Sequence, residues 1–247
     1  MNRLGRIPFA TEGAPAGPRP IHPPTLVELA HEQLLSMLVT MQILPGARVG
    51  IDAVARKLGI SQTPIREALT QLEAEGLVYK TPNIGYRASE QMTEREVDDL
   101  YALRLLIEPY AAARAAESIG DQDQTALEKI AEEMSSIQTR SDVAYARFAE
   151  ADAMLHRLIA TASGNRLIAE TIDRLHVHLH IFRFLYNTNA PEEAAEEHAR
   201  VIEAVIAREP ATAEQAMREH LNCSRARINL ARSRLARQPD ETLEPAR

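Results

Sequence analysis

The chain contains no tryptophan, a single cysteine, and only four Phe and six Tyr in 247 residues. Cys223 alone cannot close an intrachain disulfide, which excludes a disulfide-stapled scaffold and fits a reducing cytoplasm. No apolar run approaches the roughly 18 residues that span a bilayer, so no membrane partner is expected. The N-terminus also lacks the apolar core of a secretory signal. Basic charge is short as well: 28 Lys and Arg against 35 Asp and Glu give a net charge of −7. That balance disfavours a chain coating nucleic acid over its whole surface, while leaving room for a small DNA-reading module joined to a larger acidic part. Hydrophobic residues make up 45% over a length that suits two domains.

What is present concentrates in residues 45–78, PGARVGIDAVARKLGISQTPIREALTQLEAEGLV. Ala53, Val54, Ala55 and Leu58 give one short segment an apolar face, and Ile65, Ala68, Leu69 and Leu72 give a second one at helical spacing. Gly59 suits the end of the first helix, where positive φ is cheap only for glycine. Ser61 suits the N-cap of the second, with Pro64 in its first turn. Helix, tight turn, helix is a DNA-reading motif whose second helix enters the major groove. A preceding helix is expected over 26–41, with Leu29, Leu34, Leu38 and Met41 inward, ended by Leu44-Pro45-Gly46. Residues 77–80 and 86–88 read as two strands around a 81–85 turn, a β-wing.

SQTPIREALTQLEAEGLV resembles the signature of the GntR family of bacterial transcriptional regulators, Ser-Arg-Thr-Pro-Val-Arg-Glu-Ala-Leu followed by a Leu and Glu-Gly-Leu-Val. The resemblance implies a winged helix-turn-helix over residues 25–90. It also implies that Ser61, Gln62, Thr63 and Arg66 approach base edges or phosphates, with Arg48 on a phosphate and Gly85 at the wing tip beside the minor groove. Lys80 and Arg87 would add charge there. Gln62 stands where the family most often has Arg; Arg reads guanine and Gln prefers adenine, so a different operator is implied. The family binds palindromic double-stranded DNA operators as homodimers, and the same is expected here.

Residues 1–24 hold six prolines and little apolar periodicity, and read as a disordered arm; residues 237–247 read as a polar tail. Between them, residues 93–236 are helical throughout. A capping box opens at Thr93-Glu94-Arg95-Glu96, and helices are expected at 93–118, 122–139, 142–163, 166–188, 191–208 and 211–236. The fold class is therefore mainly α: an N-terminal winged helix-turn-helix and a C-terminal six-helix bundle.

Asp152 and His156 lie four apart on one expected helix, with His198 and His220 on the last two. That order resembles the FCD effector domain of the FadR subfamily, with the six-helix count pointing to its VanR-type branch. The resemblance implies a divalent metal on these four residues. Three imidazoles and a carboxylate favour Zn or Ni, with Mn or Fe also fitting. A ligand-responsive repressor with a small organic acid as effector is implied. Arg104, in Leu103-Arg104-Leu105-Leu106-Ile107-Glu108, either clamps that acid or pairs with Glu108 one turn on; Arg183 is a second candidate. His176, His178 and His180, two residues apart, scatter around a helix and read as bundle lining or solvent-facing. The alternatives are a metal-dependent hydrolase using the same Asp/His3 set and a purely structural metal site. Against the hydrolase, no general base stands out.

Overall fold

The computed structural model describes residues 24–137, 141–175 and 177–237. The N-terminal arm, His176 and the C-terminal tail beyond Arg237 lie outside them, as does the side chain of His178. The protein is mainly α, with a small antiparallel ribbon.

Helix α1 (Leu26–Val39) starts on a capping box: Thr25 Oγ1 accepts from the Glu28 amide, and Glu28 accepts from the Thr25 amide. The expected run to Met41 is two residues too long. Thr40 caps the helix, and Met41 sits at φ 59°, outside helical space. Leu34 and Leu38 are buried, but Leu29 is exposed. Helix α2 (Ile51–Leu58) ends on Gly59 at φ 67°. Helix α3 (Gln62–Ala74) follows Ser61, which takes the N-cap position without a side-chain capping bond. Ile65, Ala68, Leu69 and Leu72 are completely buried, closing α3 onto α1 and α2.

Strands β1 (Val78–Thr81) and β2 (Gly85–Ala88) pair from Val78 opposite Ala88 to Thr81 opposite Gly85. Gly85 adopts φ 101°, which only glycine takes without strain. A bridge from Arg48 to Arg87 adds a short third arm to the wing, unforeseen because it involves too few residues to show alternation.

Helix α4 (Glu94–Ser118) begins on the Thr93–Glu96 capping box. Pro109 lies inside it and has no amide hydrogen to donate to the Leu105 carbonyl; Arg218 Nη1 approaches that carbonyl instead, at 3.5 Å. Then follow α5 (Asp121–Ser136), α6 (Asp142–Ala162), α7 (Arg166–Leu175), α8 (Val177–Leu185), α9 (Ala190–Ile206) and α10 (Pro210–Arg237). The stretch expected as one helix over 166–188 is described as Arg166–Leu175 and Val177–Leu185, on either side of His176, which lies outside the described residues. The two parts differ in burial. Helix α7 buries only Ile172, whereas α8 buries Leu179, Ile181, Phe182, Phe184 and Leu185 around most of its circumference. Helix α6 runs through the centre, touching α4, α5, α7 and α8 and also α1 of the N-terminal part.

Candidate metal centre and nucleic-acid interface

Three helices converge on one buried cluster. Helix α6 delivers Asp152 and His156, α9 delivers His198, and α10 delivers His220; all four side chains are buried. The three imidazoles each place one nitrogen within 4.8 Å of the others. His198 Nε2 lies 3.3 Å from His220 Nε2 and 3.3 Å from Asp152 Oδ1. The structure therefore brings the three histidines together as a group that could hold a metal, with Asp152 beside His198.

Two further carboxylates, whose part in the cluster was not foreseen, hold the backs of two rings. Glu108 Oε2 lies 2.5 Å from His156 Nδ1, and Glu197 Oε2 lies 2.9 Å from His220 Nδ1. Each Glu is in turn held by an arginine. Arg104 donates Nε and Nη2 to Glu108, and Arg227 donates Nη1 and Nη2 to Glu197 at 2.6 and 2.8 Å. Two Arg–Glu–His relays thus meet at the cluster, one within α4 and α6, the other across α9 and α10. A carboxylate on Nδ1 fixes the ring and turns Nε2 inward as the basic nitrogen, which is how metal-ligating histidines are commonly held. The donor set fits a borderline divalent ion.

The electrostatics follow from burial and partners. Burial alone would raise the Glu108 pKa, but the charges of Arg104 and His156 outweigh it and hold this carboxyl well below the usual range. Burial likewise opposes ionisation of Glu197, yet hydrogen bonds from Arg227 and His220 bring its pKa down to about 2. Burial lowers the pKa of His220, with Glu197 opposing, which favours a neutral, ligating imidazole.

Beside the cluster is an enclosed cavity of about 10 Å³, room for about one water-sized particle. Arg104, Asp152, His220, Ser224 and Arg227 line it, with Ile181, Phe182 and Leu185 of α8. Of the two readings of Arg104, the pair with Glu108 is present, and the guanidinium also borders the cavity. Arg183 is not brought to this cavity. It is 2% exposed on another side of α8, where Nη2 donates to the Ser89 carbonyl at 2.8 Å, just after the wing. Its Nε and Nη1 find no acceptor among the described residues, and burial lowers its pKa, with Glu90 opposing. Helical spacing gives a face but not which neighbour that face meets. His180, the described member of the histidine run, lies beside Gly76 past the end of α3.

At the other end of the molecule, Ser61, Gln62, Thr63 and Arg66 are exposed together on the first turns of α3, and Arg48 is exposed before α2. Gln62 Nε2 donates to Asp52 Oδ1 at 2.5 Å, and Arg66 Nη2 donates to Gln62 Oε1 at 3.2 Å, so Gln62 orients Arg66. Lys80 is exposed, whereas Arg87 is half-buried and donates Nη1 to the Gly46 carbonyl at 2.7 Å, bracing the base of the wing.

Comparison with known proteins gives two family matches. The model described as "Bacterial regulatory proteins, gntR family" covers residues 26–88, and that described as "FCD domain" covers residues 99–222. The chain is similar to the "Probable D-xylose utilization operon transcriptional repressor" of Paenarthrobacter nicotinovorans, 29% identical over 182 residues, 71% of this chain and 76% of that protein. It is also similar to the HTH-type transcriptional regulator YdhC of Bacillus subtilis (strain 168), 26% identical over 78% of this chain and 86% of that one. Among solved structures, E. coli McbR/YncC matches with a TM-score of 0.61 at 23% identity, over 85% of this chain and 99% of that chain, a likeness of fold.

Proposed function

Because the chain belongs to the gntR family of bacterial regulatory proteins, with an FCD domain behind its helix-turn-helix, it is a transcriptional regulator rather than an enzyme, and we propose that it is a metal-assisted, acid-responsive repressor. In this reading two copies grip a palindromic operator, each through Ser61, Gln62, Thr63 and Arg66 in the major groove, Arg48 on a phosphate and Gly85 at the wing tip. Asp152, His156, His198 and His220 hold a divalent cation, which supplies open positions for the carboxylate of a small organic acid. Arg104 and Arg227 face the same cavity and favour an anion there. The acid shifts operator affinity only by binding one arrangement of the dimer better than the other.

The observation that carries this reading is the convergence of three imidazoles from three helices, two of them held on the far nitrogen by a carboxylate. Zinc titrated into metal-free protein should bind at one site per chain, and His198→Ala should abolish that binding. Equal zinc affinity in the two proteins would remove the metal. The hydrolase alternative lacks a base, since Glu108 and Glu197 are both engaged by arginine and histidine. The likeness to a sugar-operon repressor is consistent with repression of a catabolic gene set.

A further inference from the structure

The enclosed cavity beside the histidines is too small for any organic acid, which raises the question of how one arrives. A second cavity of about 260 Å³ lies against it, open to solvent beside the segment joining α8 and α9 and against the last described turns of α10. The two cavities share three wall residues: Leu185, Ala190 and Arg227. Two of these are apolar and fixed in the core. The third is a long side chain held only by its head group. Arg227 comes from α10, and its guanidinium bridges to α9 through two bonds to Glu197 and a longer contact, 3.5 Å, to Glu193 of the outer cavity, so these contacts are what close the wall. Its Nε is buried and finds no acceptor among the described residues. Glu197, by contrast, would keep a partner if the guanidinium left, because His220 Nδ1 lies 2.9 Å from it.

Resting on the metal-and-acid reading above, we propose that Arg227 is the latch between an outer vestibule and the histidine cluster, opened when an incoming carboxylate takes the guanidinium from Glu197. The exchange trades one planar, two-oxygen acceptor for another. The charge-assisted bonds are kept, and Nε gains the chance of an acceptor. The relay through Arg104 cannot play this part. That arginine is 1% exposed and pairs with a glutamate on its own helix. The two relays thus divide the work: one is a fixed support and the other a movable one. An acid held at the latch also turns Glu197 towards His220, so anion binding and metal affinity are linked, each altering the other by the same factor.

The test uses full-length protein loaded with zinc. The first readout is the rate at which zinc passes to a chromogenic chelator, and the second is line broadening of fluoroacetate in fluorine NMR. Leu230→Trp plugs the vestibule from an exposed position remote from the cluster. It should slow zinc release and abolish fluoroacetate broadening. Arg227→Gln should speed zinc release and weaken fluoroacetate binding at least about tenfold, and Arg227→Lys should restore part of the anion affinity. Circular dichroism identifies any variant that fails to fold, in which case Leu230→Trp and Arg227→Lys decide. Wild-type zinc release in Leu230→Trp, or wild-type fluoroacetate affinity in the arginine variants, overturns the latch. Failure of the wild-type protein to take up zinc at all overturns instead the metal reading on which it rests.

Discussion

Replacing Glu108 by leucine removes the carboxylate that pairs with Arg104, a guanidinium that is 1% exposed at the middle of α4. A buried ion pair that loses one partner leaves an uncompensated charge, at a cost of about 3–5 kcal/mol. Against a total stability of about 5–15 kcal/mol for a domain, that is a large fraction. Glu108 also lies 2.5 Å from His156 Nδ1, so its loss frees a ligand ring to reorient. Losing such an outer partner typically weakens metal binding about 10- to 100-fold. The two effects separate experimentally. Urea denaturation of metal-free protein, followed by circular dichroism, reads the first, and zinc titration reads the second. The double variant Arg104→Met with Glu108→Leu removes both charges and should recover most of the lost stability while keeping the zinc defect. A Glu108→Leu protein within about 1 kcal/mol of wild type without metal would refute the buried-pair argument.

Arg66→Ala should weaken operator binding by about 1–3 kcal/mol in a gel-shift titration, with the fold intact, since Arg66 is exposed and accepted by Gln62 Oε1 one turn back. Glu197 ionises near 2 rather than at 4.5, so the stability it contributes is present above about pH 4.5 and fades as pH falls towards 2; Glu197→Gln should flatten that acid limb in thermal unfolding of metal-free protein. Burial opposes the charge on His31, but Glu75 and Glu150 outweigh it and raise its pKa above 6.5. The bridge His31 makes from α1 to Glu75 at the end of α3 and towards Glu150 of α6 is therefore strongest below that value and fades as pH rises through the raised one. His31→Gln should lose the difference in melting temperature between about pH 6 and about pH 9 that wild type shows.

The reading head was legible in the sequence because its information is local: Gly59, Ser61 and Pro64 punctuate two apolar faces within a few residues, and the Thr93–Glu96 box marks a helix start in four. The cluster residues were legible because their order resembles a known family pattern. Their supporting carboxylates were not. Glu108 meets His156 across 48 positions of chain and Glu197 meets His220 across 23, and only the docking of α4 on α6 and of α9 on α10 brings them together. Glu108 was weighed only as a partner for Arg104, one turn away. The change from the one-sided burial of Arg166–Leu175 to the broader burial of Val177–Leu185 has no glycine or proline to mark it, and is visible only once the neighbours are in place.

Helix α8 borders the small cavity through Ile181, Phe182 and Leu185, while Arg183, on the same nine-residue rod, grips the carbonyl of Ser89 where the chain leaves the wing. Anything that widens the chamber by pushing this rod outward also tugs the root of the wing. The proposed acid site and the root of the wing are therefore joined through this one helix, with Arg183 as its handle on the wing.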